Sequence, residues 1–398
     1  MLHIGLVGKP NCGKSTFFSA ATLVDVPIAN YPFTTINANI GVTYFRTKCP
    51  CKELGIKCSP QNSKCVNGTR LVPVQALDVA GLVPGASEGK GLGNKFLDDL
   101  RQASVLVHII DLSGSTDAEG KEVAFGTHDP AEDVLFLEKE IDAWLTGIIK
   151  GQWEKFARRV QSKKEDFLKV SAEALSGLGF TEEHIAKAVA ELGLDKEKPA
   201  SWTDEDLAAF TSALRKKGKP IIIAANKADK KNAQENLEKL RTRFPGLEII
   251  ACSADSELAL RKAEKAGLIE YAPGNADFKA LKELSEKQKA ALEFIRKEVL
   301  QKIGSTGVQK VLDAAIARLN LITVYPVEDE NKYTDKKGNA LPDAKLVERG
   351  TTPLKLAFLI HTDIGSNFIA AVDAKTKRRL GKDHALDDCA VVKIIAKS

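Results

Sequence analysis

No run of apolar residues in this chain approaches the roughly 18–20 that a membrane-spanning helix requires, so the sequence reads as that of a soluble protein with no membrane partner. No charged leader with a cleavable apolar segment precedes the first strand-like run, Leu2–Val7, and the expected compartment is cytoplasmic. A large charge imbalance is missing too. The 58 basic and 53 acidic residues leave a net +5, too weak a field to argue by itself for a nucleic-acid partner. Paired C-x-x-C knuckles are absent, yet four of the seven cysteines cluster as Cys49-Pro50-Cys51, Cys58 and Cys65. Their surroundings, rich in Lys, Pro, Ser, Asn and Gly, cannot build a core of their own, so a staple is expected there. Four thiolates can hold a structural Zn²⁺. Disulfides, disfavoured in cytosol outside hyperthermophiles, and free thiols are the rival readings.

What is present is enough apolar material, 43% of 398 residues, for two or three domains. Leu2–Val7, Val72–Asp78, Ser104–Asp111 and Pro220–Ala225 read as buried strands, each ending at or just before a chemically distinctive residue. Such spacing predicts a mostly parallel α/β sheet with its site beyond the carboxyl ends of the strands. Between Asp111 and Ile221 the pattern is helical and longer than one crossover needs. Asp129-Pro130-Ala131-Glu132 offers an N-cap, a first-turn proline and a capping-box glutamate, and Thr203 with Asp206 offers a second helix start. Trp144, Trp153 and Phe156 read as packing residues of this insertion. Lys282–Ile303 is helical, and from Asn320 onward Leu321–Val327, Lys355–Ile360, Asn367–Val372 and Ala390–Ile395 read as short strands. Two basic runs, Arg215-Lys216-Lys217-Gly218-Lys219 and Lys375-Thr376-Lys377-Arg378-Arg379, read as solvated surface or, alternatively, as contacts for RNA phosphates.

Gly8–Ser15, Gly-Lys-Pro-Asn-Cys-Gly-Lys-Ser, fits the phosphate-loop pattern G-x-x-x-x-G-K-[ST] directly after the first strand. Gly8 and Gly13 let backbone N–H groups turn inward around phosphates, and Lys14 reaches the β and γ groups. Ser15 offers a hydroxyl to Mg²⁺, and the helix that opens at Ser15-Thr16 points its positive end at the anion. Downstream, Asn226-Lys227-Ala228-Asp229 ends an apolar strand and resembles the N-K-x-D guanine motif of translation-factor GTPases. The chemistry is complementarity. A carboxylate at Asp229 accepts from both the ring N–H and the exocyclic amine of guanine, a donor pair that adenine lacks. Asp78-Val79-Ala80-Gly81 resembles D-x-x-G, with Asp78 on Mg²⁺ through water and the Gly81 N–H approaching the γ-phosphate. In Tyr31-Pro32-Phe33-Thr34-Thr35, Thr35 is the residue expected to sense Mg²⁺ and γ-phosphate together. Cys252-Ser253-Ala254 follows a strand as the S-A guanine-loop motif would.

Together Gly8–Thr16, Tyr31–Gly41 and Asp78–Phe96 resemble the Obg-related GTPases, and within them the YchF-like branch. At the other end, Thr323-Val324-Tyr325-Pro326, Leu341-Pro342, Gly350-Thr351-Thr352 and His361-Thr362-Asp363 resemble a TGS domain. The resemblance implies a P-loop GTPase domain split as 1–115 and 217–275 around an inserted helical domain at 116–216. A helical connection at 276–318 and a small α+β TGS-like domain at 319–398 would follow. It also implies GTP and GDP as ligands, ribosomes or translation factors as partners, and an RNA contact through the C-terminal domain. Many YchF-like proteins carry a non-standard base motif and prefer ATP, whereas Asn226–Asp229 keeps the guanine pattern, so GTP is expected. The Cys49–Cys65 segment resembles the archaeal form, and the glycine-rich N-terminal domain of Obg is absent.

Position 82 is Leu where Ras-like enzymes orient water with Gln, so unaided hydrolysis should be slow. The resemblance offers Asn11 as a ligand for K⁺ beside the transferring phosphates. Glycines 81, 85, 89, 91 and 93 make the segment after Asp78 a natural switch. The expected function is thus a slowly hydrolysing, GTP-dependent regulatory switch in translation. A metabolic nucleotide hydrolase or kinase, or a zinc-stapled RNA-binding protein with a structural nucleotide site, are the alternatives.

Overall fold

The computed structural model describes residues 2–22, 40–79 and 99–397. Its strands run, in chain order, β1 (His3–Val7), β2 (Ile40–Lys48), β3 (Lys64–Val66), β4 (Thr69–Asp78), β5 (Val105–Asp111), β6 (Ile221–Asn226) and β7 (Glu248–Ala251). By packing, the described residues divide into two units. The first gathers 2–22, 40–41, 75–79 and 99–315, and the second gathers 42–74 and 316–397.

In the first unit β4, β1, β5, β6 and β7 lie side by side in that order, all parallel. Every residue of β5 is buried, as an unalternating Val-Leu-Val-His-Ile-Ile-Asp run requires of a central parallel strand. The register sets Leu6 beside Asp78 and Asp111 beside Asn226, so the carboxyl ends of β4, β1, β5 and β6 share one edge. Helix α1 (Lys14–Thr22) follows β1 directly.

The stretch after Asp111 is helical, as its pattern predicts: α2 (Pro130–Lys163), α3 (Phe167–Leu175), α4 (Glu182–Leu192) and α5 (Asp204–Gly218). Asp129 caps α2 by accepting from the Ala131 N–H, with Pro130 in the first turn. The expected capping-box glutamate does not close back: Glu132 lies 3.7 Å from His128 instead. Thr203 and Asp206 do form a reciprocal box on α5. Phe156 stacks on Trp153 at 4.9 Å, and Trp202 packs edge-on against Phe210 at 5.2 Å. These aromatics, with Trp144, fill the core of the insertion. Helix α6 (Ala233–Arg243) lies between β6 and β7 in the chain, and α7 (Ala254–Lys265) and α8 (Glu286–Ile295) follow β7. The last of these is prolonged by a π turn at Arg296–Leu300.

The second unit carries a mixed sheet of five strands. These are β10 (Leu321–Val327), β11 (Lys345–Glu348), β12 (Phe368–Asp373), β13 (Arg379–Leu380) and β14 (Ala390–Ala396), the short pair β8 (Ile269–Glu270) and β9 (Lys279–Ala280) belonging to the first unit. The order is β11-β10-β14-β12-β13, with β10 and β14 parallel. One sequence expectation is corrected here. The apolar run Lys355–Ile360, read as a strand, lies in helix α9 (Pro353–Ile360). Thr352 caps it and Pro353 occupies its first turn, a start signal that outweighs the ambiguous periodicity of a short apolar run. Its Leu356 packs with Ile322, Val324 and Val392.

Candidate functional site

The phosphate loop leaves β1 at Val7 and closes on α1. A Cβ at Gly8 would lie 2.5 Å from the Ile109 carbonyl oxygen, and one at Gly13 would lie 2.3 Å from the Asn226 amide nitrogen. Gly13 also sits at φ +93°, where side chains are strained, so both motif glycines are sterically fixed. No acidic residue occupies the first turn of α1, and its positive end stays uncompensated there. At the end of β4, the Asp78 carboxylate meets the Lys14 ammonium directly. One group suits phosphate oxygens and the other suits the water shell of a divalent ion, so the residues present fit a magnesium–triphosphate.

Asn226 ties three loops together. Its amide nitrogen donates to the Cys12 carbonyl at 2.9 Å, and its oxygen accepts from the Ala254 N–H at 3.0 Å. It is buried, and both ends of the amide are satisfied. The phosphate loop, the Asn226–Asp229 segment and Ser253-Ala254 are therefore brought to one place. Lys227 takes a left-handed backbone (φ 61°) and its ammonium reaches Asp111 at 2.9 Å. Burial alone would raise the Asp111 carboxyl, but hydrogen bonds from Ser113 and Lys227 outweigh it and hold the group below the usual range. Asp229 pairs with Lys230 at 2.9 Å, and its side chain is only 5% exposed. Ser253 caps α7 through Ser256.

Several residues support this site, and apart from Asn11 they carry no sequence signal of their own. Asn11, in a left-handed conformation (φ 59°), donates from its amide to the Gly120 carbonyl at 3.0 Å. Gly120 is itself fixed, because a Cβ there would lie 2.5 Å from the Pro10 carbonyl oxygen. Lys9 is buried on Asp133 at 2.9 Å, and His128 contacts the same carboxylate at 2.8 Å. The Ser253 N–H donates to the Thr306 carbonyl at 2.9 Å, and Gly307 lies against the Ala251 carbonyl where any Cβ would clash. Apart from His128 and Asp133, these partners sit more than fifty positions apart in sequence, which no local pattern reveals. Burial pushes the Cys12 thiol up to about 12, so that cysteine is an inert part of the loop.

Thr35, Gly81, Leu82 and the glycines at 85, 89, 91 and 93 lie outside the described residues. Of the two basic runs, the first is not a free patch. Arg215 is buried on Asp142 (2.6 Å) and Glu138 (3.2 Å), and Lys219 is buried on the Ala103 carbonyl (2.6 Å). Two of its four cations are thus taken up in packing, while Lys216 and Lys217 stay exposed, Lys217 paired with Glu191. The second lies at the β12–β13 turn with Thr376 to Arg379 exposed. Cys49, Cys51, Cys58 and Cys65 converge within the second unit. Among the described residues no helix is long and apolar enough to cross a membrane.

Comparison with known proteins agrees with this geometry. The family described as 50S ribosome-binding GTPase matches residues 3–141, and the Obg-like GTPase YGR210-like, G4 motif-containing domain matches 224–329. The TGS domain matches 333–396. A GTP-binding protein of Methanocaldococcus jannaschii is 49% identical over 397 residues, covering 100% of this chain and 99% of that one. The ribosome-binding ATPase YchF of Bacillus subtilis is 26% identical, covering 98% of each chain. Among solved structures, a GTP-binding protein from Pyrococcus horikoshii OT3 superposes with a TM-score of 0.80 at 43% identity, covering 100% of both chains. The Schizosaccharomyces pombe YchF GTPase shares the fold, with a TM-score of 0.57 at 20% identity over 99% of this chain and 97% of that one. This chain is a P-loop GTPase of the Obg-related family and belongs to its YchF-like branch of archaeal type, with a C-terminal TGS domain.

Proposed function

We propose that the chain is a guanine-nucleotide switch that hydrolyses GTP slowly and acts in the cytoplasm with ribosomes or translation factors. The observation that carries this reading is the Asn226 amide, bonded at once to the phosphate loop and to Ser253-Ala254. That link supports a base site at Asp229, three residues on from Asn226 and near the phosphate loop. Asp229 would accept from the two guanine donors, and Lys227 would brace the base from its anchor on Asp111. The relatives named YchF ATPases do not decide the matter for this chain, because the guanine-type tetrapeptide stands intact here.

Lys14 would hold the β and γ phosphates, and Ser15, Thr35 and Asp78 would hold Mg²⁺. That ion would neutralise charge on the phosphate oxygens. Gly8, Gly13 and Thr16 would supply backbone N–H groups, and the Gly81 N–H would meet the γ-phosphate. Leu82 offers neither donor nor acceptor to a water molecule, so the rate rests on another group. Asn11 supports a K⁺ contribution. With its amide nitrogen committed to Gly120, its oxygen is the atom that remains for a cation. The exposed run Thr376–Arg379 supports an RNA contact by the C-terminal domain.

The test is GTP turnover by the full chain with and without archaeal ribosomes, together with co-sedimentation in GTP and in GDP. Stimulated turnover and nucleotide-dependent sedimentation are expected. No response in either assay overturns the ribosomal role.

A further inference from the structure

Outside the nucleotide site, the second unit holds a cluster that the GTPase activity does not use. The Sγ atoms of Cys49, Cys51, Cys58 and Cys65 all lie within 4.8 Å of one another. Cys49 and Cys58 are 3.9 Å apart, and Cys51 and Cys65 are 3.8 Å apart. A single tetrahedral Zn²⁺ with Zn–S bonds of about 2.3 Å sets its sulfurs about 3.8 Å from one another. The cluster therefore matches one four-coordinate ion. A polynuclear iron–sulfur cluster would spread the same thiolates well further apart. The sulfurs come from just past the end of β2 (Cys49), the following turn (Cys51), a loop (Cys58) and strand β3 (Cys65), so no one regular element positions all four.

A second observation points the same way. Arg70, on β4, is fully buried, yet no carboxylate pairs with it among the described residues. Its guanidinium donates to the Ser63 hydroxyl and the Leu341 carbonyl, stacks on Tyr325, and leaves Nε without a partner. Asp343 feels its charge without forming an ion pair with it, and burial raises that carboxyl. An unpaired buried charge is costly. Four thiolates around Zn²⁺ carry a net charge of −2, and Arg70 stands directly opposite Cys65 across the antiparallel β3–β4 pair. The metal site would thus be the missing counter-charge.

The loop has a stated task. Ser59 N–H donates to the Ala340 carbonyl and Gln61 N–H to the Pro342 carbonyl, while Asn62 exchanges two hydrogen bonds with Ala344. Cys49 and Cys51 share a core with Tyr325, Val327, Leu341 and Val391. We propose that Cys49, Cys51, Cys58 and Cys65 hold one structural Zn²⁺ that fastens the 49–65 loop to residues 340–344 and completes the fold of the second unit.

The experiment starts from the full chain purified without chelator. Elemental analysis should find one zinc per chain, released on titrating the thiols with a mercurial. Cobalt exchanged into the site should show the charge-transfer and ligand-field bands of tetrahedral thiolate coordination, a readout that needs no variant. Cys58→Ser should lose the bound metal. Removing zinc from the wild-type chain should expose the C-terminal residues to protease while GTP binding persists. Four free thiols without metal, two disulfides detected by non-reducing mass spectrometry, or iron in place of zinc would each overturn the assignment. Zinc bound with unchanged protease resistance on removal would overturn its stapling role.

Discussion

Replacing Asp229 by Asn is the sharpest perturbation of the base site. The Asp229 side chain is nearly buried, so hydrogen bonds it makes to guanine are sheltered from water. Each bond to a charged acceptor contributes about 1.5–3 kcal/mol, and two would contribute about 3–6 kcal/mol. Against this stands the Lys230 partner, 43% exposed, whose pairing is worth at most about 1 kcal/mol and is weakened when guanine binds. The net loss for Asp229→Asn is therefore about 2–5 kcal/mol, a roughly thirty-fold to several-thousand-fold rise in Kd for GTP. Asn presents an amide donor where Asp presented an acceptor, and xanthine carries an oxygen where guanine carries its amine. The same variant should therefore gain affinity for XTP. Calorimetric titration of wild type and variant with GTP and XTP reads both effects. A variant that binds GTP within about threefold of wild type would refute the assignment, since that is under 1 kcal/mol.

Other consequences follow from the same geometry. Gly13→Ala sets a methyl 2.3 Å from the Asn226 amide in a left-handed backbone, and should abolish nucleotide binding while circular dichroism stays native. Turnover of GTP should be several-fold faster in K⁺ than in Na⁺ at equal ionic strength, and Asn11→Ala should erase that difference; equal wild-type rates would remove the K⁺ role. Burial lowers the Lys219 ammonium to about 8 from its ordinary 10.5, so the unfolded chain binds more protons between those values and stability rises with pH across them. Denaturant melts of wild type against Lys219→Met should show a pH-dependent difference of about 3 kcal/mol across that window, flat below pH 8. Phe210→Ala, at the centre of the insertion's aromatic core, should cost about 3–5 kcal/mol in the same melts.

The nucleotide site was legible because its motifs lie at strand ends. An apolar run followed by Gly8–Ser15 or Asn226–Asp229 encodes both the strand and the loop in adjacent letters. The insertion was legible from helix caps such as Thr203 with Asp206. What escaped depends on distant pairs. Thr306 supports Ser253 through its backbone carbonyl, which any residue type can supply, so the sequence holds no trace of it. Within the basic run Arg215–Lys219, the burial of Arg215 escaped because charge pattern alone cannot see Asp142 and Glu138, more than seventy positions earlier, turned toward it. The run Lys355–Ile360 misled because six apolar-rich residues fit either period, and only the Thr352-Pro353 start distinguishes a helix. The cysteine cluster was visible as four letters, but the closeness of its four sulfurs came only from the folded loop.

The most direct test of the account is the affinity of the wild-type chain for GTP against ATP, measured by calorimetry with Mg²⁺ present. Two charge-assisted bonds that adenine cannot return require GTP to bind at least about a hundredfold tighter, a difference of about 3 kcal/mol. Equal affinities, or tighter binding of ATP, would contradict the guanine site on which the proposed switch depends.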